Sequence, residues 1–129
     1  MKSLQSTIMY KSIPFIALLL LSILFSCEKE EAQELPTYDC TGLTPTYTAE
    51  IKPIIDTNCA TTGCHNSSSQ AGGINLSTYA LTSSESNNAR FLGAIQHLSA
   101  YSSMPRNSAK LSDSTIQLIY CWVENGQPE

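Results

Sequence analysis

The sequence predicts an all-α fold, a small bundle of helices, and three observations carry that expectation. Near the end of the chain Ile116, Ile119, Tyr120 and Val123 recur at helical spacing. An earlier run, Phe91, Leu92, Ile95 and Leu98, does the same on adjoining faces. Nothing alternates over a stretch long enough to demand a sheet, and no internal repeat is visible.

The N-terminal part reads as an address rather than as fold. Lys2 and Lys11 precede a nearly unbroken apolar run over residues 13–25, and Ser26-Cys27 comes next. A basic start, a short apolar core and a small residue before the cut make an export signal over residues 1–26. The run is short of the ~20 apolar residues that a helical span needs. Leu24-Phe25-Ser26-Cys27 resembles a bacterial lipobox, which implies cleavage before Cys27 and a lipid thioether on its sulfur. The folded part is then expected outside the cytoplasm, anchored to a membrane on its periplasmic side or at the outer membrane and cell surface. Residues 27–37 are acidic and lack apolar periodicity, as a solvated tether does.

The domain proper is expected over residues 38–129. A chain that short gains little from its own core and needs a staple or a cofactor. Thr44-Pro45 marks a first helix start, with Ala49, Ile51, Ile54 and Ile55 carrying it towards Cys59. Pro53 means that this helix either begins only at residues 46–48 or is kinked. Residues 66–73, rich in Ser and Gly, read as a loop, and Gly73-Ile-Asn-Leu76 returns the chain to apolar contact. Ser77 is expected to cap a short helix over residues 78–83, and another helix is expected over residues 88–99. The last helix has Ser112 as N-cap, Asp113 at its positive end, Leu111 to staple onto Ile116, and Gly126 with Pro128 to stop it.

Chemistry concentrates in Cys59-Ala-Thr-Thr-Gly-Cys64-His65. Two thiols that can each add to a porphyrin vinyl group, with an adjacent imidazole to reach the iron, describe covalent haem attachment. The usual spacing is C-x-x-C-H; here four residues separate the cysteines, and Cys64-His65 keeps thiol and ligand consecutive. The two extra residues are expected to bulge outward, with Gly63 supplying backbone freedom where the chain recovers. Met104, followed by the stiffening Pro105, is the only methionine beyond the signal, and a thioether is a known sixth ligand to haem iron. His97 is the alternative sixth ligand.

Five cysteines are present. With Cys27 lipidated and Cys59 and Cys64 on haem, Cys40 and Cys121 remain, and in an oxidising compartment a leftover pair is expected as a disulfide. Such a bridge would stabilise the fold by ~2–4 kcal/mol.

Tyr47, Ile51-Lys-Pro-Ile54, Cys59…Cys64-His65, Gly73-Ile-Asn-Leu76, Met104-Pro105 and Leu111-Ser-Asp113…Trp122…Gly126 together resemble the small class I c-type cytochromes, over about residues 47–126. The resemblance implies a cytochrome c-like bundle around one covalently bound haem, with thioethers at Cys59 and Cys64, His65 as proximal and Met104 as distal iron ligand. It also implies that Trp122 and Tyr101 line the haem pocket, and that the first and last helices cross near the porphyrin edge. The C-x4-C gap departs from the family's pattern at Cys59.

The function expected is that of an electron carrier rather than an enzyme, with redox proteins as partners, the membrane met through the lipid anchor, and no small-molecule substrate. A net charge of −4 favours partners with a basic patch and argues against nucleic acid. No Ser/His/Asp set and no glycine-rich phosphate loop is present. The alternative is a haem-free, disulfide-stapled binding or adhesion lipoprotein with bridges Cys59–Cys64 and Cys40–Cys121. A third is a zinc site on Cys59, Cys64 and His65, which lacks an evident fourth ligand.

Overall fold

The computed structural model describes residues 34–129; the expected export signal, Cys27 and the expected tether up to residue 33 lie outside the described residues. Among the described residues there are four α-helices and no strand. They are α1 (Lys52–Asn58), α2 (Tyr79–Ser86), α3 (Ala89–Ile95) and α4 (Asp113–Glu124). The all-α expectation holds.

The first helix is capped by Thr46 and begins at Tyr47, which is the later start of the two expected alternatives, and it is not broken at Pro53. A π-helical turn, Tyr47–Ile51, runs directly into α1, with Pro53 in the first turn of the α-helical part. Widening the helix just ahead of Pro53 makes room where its ring would otherwise meet the carbonyl four residues back. The Thr46 side chain accepts from the Ala49 N–H, and the Thr46 N–H donates to Glu50 Oε2 at 2.8 Å. This reciprocal cap reaches one residue further than usual because the turn is wider.

Two helices differ from the expected ones. Thr78, not Ser77, caps α2: Thr78 is extended and its side chain accepts from the Leu81 N–H, while Ser77 donates to the Asn75 side chain. The helix then continues to Ser86, past the expected residue 83. Conversely, α3 stops at Ile95 rather than near residue 99. His97 turns left-handed at φ 58°, its N–H donates to the Ala94 carbonyl, and the Leu98 N–H reaches back to Gly93. That pair of bonds is the Schellman stop, here built on a histidine.

The same stop, built on Gly126 at φ +81°, ends α4 where expected. Beyond it the chain folds back over the core. The Pro128 carbonyl accepts from the Tyr47 N–H at 2.8 Å and from Trp122 Nε1 at 2.9 Å. Gln127 is buried against α2, accepting from Ser83 and donating to Ser86 and Asn87, while its carbonyl accepts from the Tyr79 hydroxyl.

Ile51, Ile55, Ile116, Ile119 and Trp122 are fully buried and form the centre of the core. Tyr47 bridges the helices, its ring 6.0 Å from that of Trp122 and 5.3 Å from that of Tyr79. Cys40 is bonded to Cys121, with Cα atoms 5.4 Å apart and 81 residues of separation. Gln117 and Asn125 donate to the carbonyls of Asp39 and Leu43, so α4 holds the start of the domain on both sides of the bridge.

Closing a loop that long removes much freedom from the unfolded chain. Cys40→Ala is expected to cost about 4 kcal/mol, read as a lowered denaturant midpoint; an unchanged midpoint would show that the bridge stabilises nothing.

Candidate functional site

The end of α1 delivers Cys59 to the motif. Both Cys59 and Ala60 donate their N–H to the Ile55 carbonyl, which ends the helix. The chain then loops outward, leaving Thr62, Gly63 and Cys64 exposed, with Gly63 at φ +82°. It closes when the His65 N–H donates to the Cys59 carbonyl at 3.0 Å. The four-residue gap is thus absorbed by a turn that begins and ends on the two motif termini.

The segment from Asn66 to Leu76 locks this turn. The Ala71 N–H donates to the Cys64 carbonyl at 2.9 Å and the Leu76 N–H to the His65 carbonyl at 2.8 Å. Asn66 Oδ1 accepts from the N–H groups of Ser68 and Ser69, and Ser69 Oγ accepts from the Gly63 N–H. The Ser- and Gly-rich loop contains one 3-10 turn, Ala71–Gly73. His65 is therefore fixed through its own peptide groups at both ends. Its Nδ1 is buried and has no hydrogen-bond partner.

The motif forms one wall of a cleft of about 980 Å3. Cys59, Cys64, His65, Tyr101 and Met104 all line it, together with apolar Ile74, Leu76, Phe91 and Ile95. The volume lies at the upper end of the ~300–1,000 Å3 typical of ligand and cofactor sites. Two expected participants are elsewhere. Trp122 is wholly buried in the core and its indole donates to the tail, because the face of α4 that carries it meets Tyr47 rather than the cleft. His97 does not line the cleft either; its Nε2 meets the Met104 carbonyl at 3.1 Å.

The two basic residues of the cleft, Arg90 and Arg106, carry no signal in the sequence. Arg90 Nη2 pairs with Glu85 Oε1 at 3.0 Å, and Glu85 also lines the cleft. The cleft therefore holds two guanidiniums and one carboxylate in a chain of net charge −4. Nothing in the spacing of these arginines marks them, since they come from α3 and from a loop.

The two motif thiols differ. Cys59 and Cys64 are both free, so the Cys59–Cys64 bridge of the stapled-module alternative is not formed. Cys64 is exposed, whereas Cys59 is buried among the core side chains. Burial, and secondarily the neighbouring Cys64, push the Cys59 thiol up to about 11. Among the described residues no group of three or more His, Cys, Asp or Glu side chains is arranged to hold a metal ion, and this includes the trio Cys59, Cys64 and His65 considered for zinc. Among the same residues no helix is long and apolar enough to cross a membrane.

Comparison with protein-family models, with curated proteins and with solved structures gives no match to this chain.

A Cβ added at Gly93 would overlap the ring of Tyr101, which lies directly on the glycine. Gly93→Ala is expected to push that ring off α3 and cost about 1–3 kcal/mol, seen as a lower melting temperature. The Cys59 thiol gives a pH test. Between about 9 and about 11 the unfolded chain has lost this proton and the folded chain keeps it, so stability of the free-thiol protein falls as pH rises through that window. The fall is expected to reach about 2–3 kcal/mol in urea titrations and to shrink in Cys59→Ala. A thioether at Cys59 has no proton to lose and would remove the difference.

Proposed function

We propose that this chain is an exported, lipid-anchored c-type haem protein that carries single electrons between redox partners. The observation that supports this most is convergence: Cys59, Cys64, His65 and Met104 line one cavity, although Met104 comes from a loop far along the chain. Haem, when bound, supplies a one-electron ferric/ferrous couple.

The residues present fit that group. Each motif thiol would add across a vinyl double bond, the sulfur bonding to one carbon and the hydrogen passing to the other, with no oxidant consumed. His65 offers an imidazole that is held by its backbone and whose buried Nδ1 finds no protein partner. Met104 offers a soft thioether suited to both iron oxidation states. Ile74, Leu76, Phe91 and Ile95 supply apolar surface that excludes water, while Arg90 and Arg106 suit the two propionate carboxylates through charge-assisted hydrogen bonds. Cys27, with the lipid that its surrounding residues imply, would keep the domain at a membrane, and contacts with partner proteins would be small and short-lived. The free thiols at Cys59 and Cys64 weigh against the stapled module, which needs them bridged.

Protein exported alongside haem-attachment machinery is expected to be coloured, with a reduced α-band that survives acid-acetone extraction. Cys59→Ala and Cys64→Ala should each leave a single thioether, and Met104→Ala should abolish the methionine-to-iron charge-transfer band. Colourless mature protein with no iron would end the proposal.

A further inference from the structure

We propose that His97 is a positioning residue for Met104, a role that rests on the haem assignment only for its effect on iron. The end of α3 grips both halves of the Met104 backbone. The Met104 N–H donates to the Ala94 carbonyl at 3.0 Å, and the Met104 carbonyl lies 3.1 Å from His97 Nε2. A carbonyl oxygen can only accept, so Nε2 carries the proton and is the donor. Both anchors belong to one rigid feature, the helix stop closed by Leu98 on Gly93 and by His97 on Ala94.

The backbone at His97 sharpens this assignment. At φ 58° the position favours glycine or asparagine, and any residue with a larger side chain is strained there. Glycine would stop the helix at least as well. What histidine adds is a long, rigid donor that reaches seven residues ahead to Met104. His97 does not line the cleft, so it acts through Met104, keeping the loop that carries the sulfur against the wall shared with Cys59, Cys64 and His65.

His97→Gly separates the two roles, because it removes the donor and leaves the left-handed stop with its best residue. In purified mature protein the Met104 amide is expected to exchange about tenfold faster in the variant, while the Leu98 amide, on the same helix stop, is unchanged. In the ferric, haem-loaded protein added cyanide is expected to bind about tenfold more tightly to the variant, as the competing sulfur is held less firmly. Equal Met104 exchange in the two proteins would overturn the inference. So would faster exchange with unchanged cyanide affinity in haem-loaded protein. If mature wild-type protein holds no iron, the electron-carrier proposal fails, and amide exchange alone then decides the clamp: faster at Met104 upholds it, equal refutes it.

Discussion

The hydrogen bond from the His65 N–H to the Cys59 carbonyl is the constraint on which the site depends. It closes the motif into a turn whose two ends are Cys59 and His65. Because Cys59 is also bonded back to Ile55, the turn inherits the orientation of α1, and because His65 accepts from Leu76, it is fixed to the segment that begins the next wall. The side chains can then share a cleft without any of them bonding to another.

Such a small domain cannot form a deep core on every side. Its fully buried apolar side chains belong to the Tyr47–Ile51 turn, α1 and α4, and there the packing is reinforced by the Cys40–Cys121 bridge and by the folded-back tail. The 980 Å3 cleft is bounded by the motif, α3 and the loop carrying Met104, and Cys59, Leu76, Phe91 and Ile95 belong both to its lining and to the core. Stability and openness thus fall largely to different elements, since neither α4 nor the Tyr47–Ile51 turn lines the cleft. The helix ends do the dividing: Gly126 sends the chain back to the core, and His97 sends it across the cleft.

The parts legible in the sequence are those written in local chemistry. Ser112, the spacing of Ile116 and Ile119, and Gly126 specify α4 because cap, stripe and stop all act within a turn or two. The cleft residues Cys59, Cys64, His65, Tyr101 and Met104 are legible too, while Arg90 and Arg106 are not, since long basic side chains carry no sign of which way they lie. Trp122 shows the complementary failure. Its burial is readable, but its side is not, because the acceptor for its indole is a tail carbonyl that only the fold brings near. Gln127 is invisible for the same reason, as a polar residue beyond a helix stop gives no hint of a buried network. The end of α3 is hidden because histidine is an unusual residue for a left-handed stop.

The unequal burial of the two motif sulfurs imposes an order in time. A small thiol reagent meets Cys64 at the surface of the domain, but Cys59 only through the cleft that it lines. The inner sulfur therefore reacts after the outer one, at a rate set by how readily the cleft admits the reagent.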